Sequence, residues 1–186
     1  MSLFINFFKH LHTVNKHRRL VRKNCFKCGL YWRGLTHDLS KYSPTEFFPG
    51  VKYYQGFRSP TAEERKEYGY SKAWMHHKGR NKHHAEYWTD FSLETKRYEP
   101  VKMPKQYVVE SVCDRIAASK VYKKDAYTNS EPLEYFLDKD SHLAMHPETR
   151  KELNFLLTML KNKGEKETFK YIKKNFKKDN FLKDID

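Results

Sequence analysis

Long apolar runs, cysteines and strand signals are what this 186-residue chain has least of, and each shortage closes off a class of protein. No window approaches the roughly 18 apolar residues that a membrane-crossing helix needs, so no membrane partner is expected. The apolar start, Met1 to Phe8, is short, and His10, Lys16, Arg18 and Arg19 follow without a cleavage-site pattern. It reads as the first turns of an amphipathic helix and not as a signal peptide. Three cysteines cannot make a disulfide framework, and nothing suggests export, which points to a reducing cytoplasm. Cys25 and Cys28 form a C-x-x-C, but one such pair, with Cys113 far away in sequence, is short of a zinc motif. Internal repeats and low-complexity linkers are missing too. So are the loops G-x-G-x-x-G and G-x-x-x-x-G-K-[ST], which removes the glycine-rich phosphate cradles.

What remains is a globular balance of 38% hydrophobic and 32% charged residues, with aromatics dense at 16%. The length fits one domain with a real core, with or without a small appendage. A net charge of +14 favours polyanionic partners: nucleotides, other phosphate esters or nucleic acid. Much of the excess lies in the tail, where Lys161, Lys163, Lys166, Lys170, Lys173, Lys174, Lys177 and Lys178 recur at a spacing typical of a solvated helical face.

Helix signals fill the chain. Phe4, Phe7, Phe8, Leu11, Val14 and Val21 recur at three- and four-residue steps and predict a helix from about Leu3 to Asn24, closed near Gly29. A second is expected from about Leu30 to Lys41, with Leu35 and Leu39 inward. Ser43-Pro44-Thr45-Glu46 is a capping box with proline at the first helical position, in which Glu46 either serves the cap or stands behind metal ligands as a base. Ser59-Pro60 opens a stretch towards His77 that Gly69 interrupts, and Asn81 can cap a helix through His84, Tyr87 and Trp88. Past Pro100 and Pro104, a helix carries Tyr107, Val108, Val112 and Ile116 to about Tyr122. Pro132 and Pro147 mark the starts of two more, and Phe169, Ile172 and Phe176 lie on the last. Trp32, Trp74 and Trp88 are expected in the core. The fold class is all-α, in six to eight helices.

Ten histidines are more than a surface requires, and their arrangement says more than their number. His37 and Asp38 are adjacent, with Lys41 one turn on and able to share their face. Two pairs, His76-His77 and His83-His84, flank Lys78, Gly79, Arg80, Asn81 and Lys82. Asp114 interrupts the apolar run Val112-Cys113-Asp114-Arg115-Ile116-Ala117, where a carboxylate is costly unless a cation or hydrogen bonds compensate it. Imidazoles mixed with carboxylates suit Mn, Fe, Co, Ni or Zn, whereas magnesium prefers oxygen alone.

His17 with Val21 one turn on, His37-Asp38-Leu39-Ser40-Lys41, the paired histidines and then Asp114 form an ordered set, H…HD-x-x-K…HH…HH…D. In it the chain resembles the HD-domain superfamily of metal-dependent phosphohydrolases. It is closer still to a bacterial and phage family known only as a domain of unknown function. The resemblance implies an HD-like helical bundle over residues 1–130, with 131–186 a C-terminal helical extension packed on the same domain. It implies one or two divalent transition metals on His17, His37, Asp38, His77, His84 and Asp114, with Asp38 bridging if two bind. His76 and His83 can exchange roles with the neighbouring histidines, or serve as outer partners and phosphate contacts. Lys41 would meet the substrate anion, with Lys78, Arg80, Asn81, His76 and His83 as further substrate contacts. The expected reaction is hydrolysis of a phosphomonoester or phosphodiester, in a nucleotide, through a metal-activated water, with Asp38 and Lys41 as the catalytic pair. Alanine at Asp38 is expected to abolish both metal binding and activity. The same pattern also resembles HD-fold di-iron oxygenases such as myo-inositol oxygenase. A basic nucleic-acid-binding protein with a structural metal is the third reading.

Overall fold

The computed structural model describes residues 2–139 and 142–177, and among them the chain is all-α apart from one small hairpin. Eight α-helices are formed: α1 (Leu3–Lys27), α2 (Tyr31–Thr36), α3 (Pro44–Lys52), α4 (Thr61–Tyr68), α5 (Lys72–Lys78), α6 (Lys105–Lys123), α7 (Glu131–Lys139) and α8 (Pro147–Asn175). Strands β1 (Thr89–Phe91) and β2 (Tyr98–Pro100) pair antiparallel, an element that no run of strand formers announces. Lys178, on the predicted tail helix, lies outside the described residues.

The core is built where α1 and α6 cross and α7 and α8 close over them. Val21 and Cys25 of α1 meet Val108, Val112, Cys113 and Ile116 of α6, then Phe136 of α7 and Leu153, Leu156, Leu157 and Leu160 of α8. Residues on either side of position 130 thus share one core. Cys28 and Cys113 bring their sulfurs to 4.0 Å within it, so the three thiols, all buried, act as small apolar side chains there. Burial pushes the Cys113 thiol well up, against ionisation.

α1 does not turn its phenylalanines inward. Its buried stripe is Asn6, His10, Val14, His17, Val21 and Asn24, while Phe4 and Phe8 are 72% and 54% exposed. The inward polar groups are matched only in part, Oδ1 of Asn6 and Nδ1 of His10 being buried without a hydrogen-bond partner. Asn6 donates to the carbonyl of Val51, and His10 packs against the rings of Phe47 and Tyr54. A β-carbon at Gly50 would stand 2.2 Å from Nε2 of His10, so α3 can lie against α1 only through a glycine there. The displaced rings stack on one another instead, Phe4 on Phe8 and Phe7 on Phe47.

The expected second helix breaks in the middle. α2 ends at Thr36, His37 leaves helical geometry at ψ 129°, and Asp38 adopts the left-handed conformation at φ 52° before a 3₁₀ turn, Leu39–Tyr42. Leu35 and Leu39, predicted inward, are exposed as a result. Trp32 is exposed too, whereas Trp88 packs against the core. The other expected stops hold: Gly69 ends α4 at φ 77°, and α8 begins with Pro147 at its first position. Asn81 caps no α-helix; only a 3₁₀ turn, Ala85–Tyr87, follows it.

Candidate metal centre

The break after α2 is what aims the centre. A left-handed, non-glycine residue is costly, least so for Asp and Asn, and such strain concentrates where a side chain must be pointed. Here it turns Asp38 inward, 1% exposed, between α1, α5 and α6. Its two carboxylate oxygens then face different partners. Oδ2 stands 3.3 Å from Nε2 of His37, 3.5 Å from Nε2 of His17 and 3.4 Å from Nζ of Lys41. Oδ1 stands 3.4 Å from Nε2 of His77 and 3.5 Å from Nε2 of His83. Asp114, on α6, places Oδ1 3.0 Å from Nε2 of His17 and 3.6 Å from that of His37.

Two four-residue groups with metal-ligating atoms in reach of one another follow: His17, His37, Asp38 and Asp114, and Asp38, His77, His83 and His84. They share Asp38. A divalent ion at about 2.1 Å from each ligand sets neighbouring ligands about 3.0–3.4 Å apart, the range seen here for the closer pairs. Most of these contacts are too long for strong hydrogen bonds. Asp38 Oδ1, His83 Nε2 and His84 Nε2 are buried without any hydrogen-bond partner, a costly state that a cation removes. The residues present fit a metal.

The outer partners fit as well. Nδ1 of His37 lies 2.9 Å from Oε1 of Glu110, and Nδ1 of His77 lies 2.8 Å from Oε2 of Glu46. When each Nδ1–H donates to its carboxylate, each Nε2 is left as a lone pair facing Asp38, the arrangement that holds a metal-binding imidazole. Glu46 is therefore not spent on the helix cap. It is buried and also accepts from Nδ1 of His76 at 2.6 Å, while Ser43 caps α3 without a side-chain bond. Glu110 was not anticipated. It sits one turn before Asp114 in the same apolar run, and a second carboxylate among Val108, Val109 and Val112 is the signal that would have found it.

Electrostatics describe a site that draws cations. Burial alone would raise the Asp38 carboxyl, but His37, Lys41 and His77 outweigh it and hold it well below the usual range. Asp114 goes the same way, burial being overcome by hydrogen bonds to His17 and His37. Burial opposes a charge on His37, yet Asp38, Asp114 and Glu110 pull its pKa well up. Burial, with His83 and His77 beside it, pushes His84 well down and keeps it a neutral donor. Asp38, Asp114 and Glu46 act on the Lys41 ammonium while Glu110 lies against His37 and His83, so four carboxylates stand against one lysine and about three negative charges remain for protons or metal ions to balance.

The remaining candidates divide between two hollows. A cavity of about 880 Å³ opens over His17, Asp38, Lys41, His77, His84 and Asp114. Its walls carry Trp74, whose ring lies 4.8 Å from that of His84. Arg58, Arg65 and Arg115 are its guanidinium groups. Arg80, Asn81 and His83 line a separate hollow of about 260 Å³. Lys78 ends α5, and His76, at its third-last position, turns to Glu46. Asn81 bridges the segments by donating to Oγ of Ser40 and to the carbonyl of His77.

No curated protein and no solved structure matches the chain. One family model does, over residues 6–159, a span that takes in every ligand candidate and most of the core. The chain belongs to that family, described as "Family of unknown function (DUF5662)".

Proposed function

We propose that this protein is a metal-dependent phosphohydrolase of the HD type, working with two divalent ions. One observation carries the reading: the two ligand groups meet at a single carboxylate, each of whose oxygens faces its own set of imidazoles. A carboxylate so placed could be held in common by two ions, one with His17, His37 and Asp114 and the other with His77, His83 and His84. Bound there, the ions would supply an activated water and a clamp for the phosphoryl oxygens.

The chain's own residues do the rest. Asp38 fixes the register of both ligand groups. Lys41, 30% exposed in its side chain and on the cavity wall, presents an ammonium to an incoming phosphoryl group and offsets its charge. Its pKa is raised, burial being outweighed by Asp38, so it stays charged. Glu46, its pKa lowered by His77 and His76 against burial, holds the His77 ring at Nδ1 so that its Nε2 faces Asp38. The cavity is large enough for a nucleotide, within the roughly 300–1,000 Å³ of ordinary ligand sites, and Tyr54, Phe57 and Trp74 give it flat apolar faces.

The test is elemental analysis of protein purified without a histidine tag, followed by assays on nucleoside monophosphates and a chromogenic phosphodiester. Two equivalents of Mn, Fe, Co, Ni or Zn with phosphate release are expected. Iron with oxygen consumption and no phosphate release would replace hydrolysis with oxygenase chemistry. No metal after reconstitution would end the enzyme reading.

A further inference from the structure

The smaller hollow reaches the ligand shell at His83 and Glu110, and the cations in its walls have no place in the proposed reaction. It shares no residue with the metal-facing cavity, and its floor is His83 and Glu110. Its walls hold three cations, Arg33, Arg80 and Lys82, while the Thr36 hydroxyl and the Asn81 amide beside them already donate to Trp32, Ser40 and His77. Arg33 comes from α2, Arg80 and Lys82 from the segment between α5 and the 3₁₀ turn, and the fold brings them to one place.

Two of these cations share a support. The Arg33 guanidinium carbon stands 5.4 Å from the centre of the Tyr107 ring, and the Lys82 nitrogen stands 6.0 Å from it. Among the described residues neither makes an ion pair. Glu110 is the only acid in the lining and is already held by His37 at 2.9 Å and His83 at 3.5 Å. Gathering like charges over one ring raises the free energy unless an anion joins them. Two guanidinium forks and an ammonium converging on one hollow are the groups that recognise a tetrahedral oxyanion. The volume, about 260 Å³, is below that of ordinary drug-sized sites and suits one phosphoryl group rather than a whole nucleotide.

We infer that this hollow is a second anion site, binding a phosphate-sized oxyanion on Arg33, Arg80 and Lys82 behind the metal centre. The anion is either free inorganic phosphate or the phosphoryl group of a larger ligand whose remainder lies outside. The inference does not require the hydrolase reading, because none of the three cations belongs to the ligand groups.

The experiment is calorimetric titration of the metal-loaded full chain with inorganic phosphate and, separately, with a non-hydrolysable phosphonate analogue of a nucleoside monophosphate, each fitted to two sites so that an anion at the metal centre is counted apart. Variants are the double substitution Arg33→Gln with Lys82→Gln and a control pair, Lys161→Gln with Lys163→Gln, that removes the same charge from α8. Phosphate affinity should fall tenfold or more in the first pair and stay unchanged in the second, with metal content equal in all three proteins. Binding of phosphate alone identifies the free ion as the ligand; equal binding of the phosphonate analogue identifies a phosphoryl group of something larger. Equal losses in both pairs would reduce the effect to net charge and overturn the site. So would phosphate affinity untouched by the first pair while circular dichroism shows a native helix content. Loss of single-stranded DNA binding without any phosphate binding would replace it with a nucleic-acid surface. Metal content tests the proposed function on the same samples, so the two ideas fail separately.

Discussion

The two halves of the metal centre are built in different ways. His17 and Asp114 stand on α1 and α6, helices of 25 and 19 residues whose other faces form the core. With His37 they are positioned by packing between segments far apart in sequence. His77, His83 and His84 come from eight consecutive residues, the end of one short helix and the loop after it. That half is held by Glu46, by Asn81 and by the chain's own turn, with Trp74 against His77 and His84 and, among the described residues, only Ala85 reaching the main core. A rigid half and a loop-borne half sharing one carboxylate should bind their ions with unequal strength, the first more tightly.

The largest effect is expected where the halves meet. Asn is the right replacement at Asp38, because it tolerates the left-handed backbone at φ 52° that alanine would strain. Its single oxygen cannot serve both sides. Asp38→Asn should lose one equivalent outright and weaken the other by more than the roughly 10–100-fold that outer-shell partners contribute. Two full equivalents in this variant, by elemental analysis, would remove the bridge.

Removing one imidazole from each half tests their independence. His84→Ala should leave about one equivalent, on the α1–α6 side. His17→Ala should cost the tighter ion, and with it the order in which the two sites fill during titration. Identical stoichiometry and affinity loss from both substitutions would mean a single site with redundant ligands. A smaller change comes from the carboxylates behind the imidazoles. Glu46→Gln should weaken metal binding by about 10–100-fold on the second half through His77, whereas Glu110→Gln, which loses His37 at 2.9 Å and the longer contact to His83 at 3.5 Å, should weaken the first half most and the second less. Equal weakening of both ions by Glu46→Gln would show that the halves are not separable.

The same contrast explains what could be read from sequence. His17, His37, Asp38, Lys41 and Asp114 are marked by order along the chain or by polarity within an apolar run, and such marks survive folding. Among His76, His77, His83 and His84 there is no such mark, since four imidazoles within nine residues differ only by the turn between them. The structure directs His76 to Glu46 and sets His83 beside His77 and His84. Glu46 and Glu110 differ in legibility. Glu46 sits where a cap acid would sit, so sequence leaves cap and ligand partner both open, and Glu110 is masked by the more conspicuous Asp114 one turn on. The helical class follows from apolar periodicity, but the inward face of α1 does not. Asn6 and His10 are buried because Val51, Phe47, Tyr54 and Gly50 receive them, which no local pattern records.

His10 gives the finest division, because it lies seven residues before His17 on the same stripe of α1 and belongs to neither ligand group. Burial, with Lys41 nearby, lowers its pKa to about 4. Between the unfolded value of 6.5 and that point the unfolded chain binds the proton and the folded chain does not. Stability must therefore fall as pH falls through this window, by about 2 kcal/mol from this residue after allowing for its partial access to solvent. His10→Gln should be less stable than the parent at pH 7.5, having lost ring contacts with Phe47 and Tyr54, and the gap should narrow steadily towards pH 4. Denaturant unfolding at four or five pH values measures it. Metal binding should be unchanged at pH 7.5, because this histidine is buried for packing while its neighbour seven residues on is buried for ligation. A constant gap across the window, or a lost ion, would place His10 in the rigid half of the centre after all.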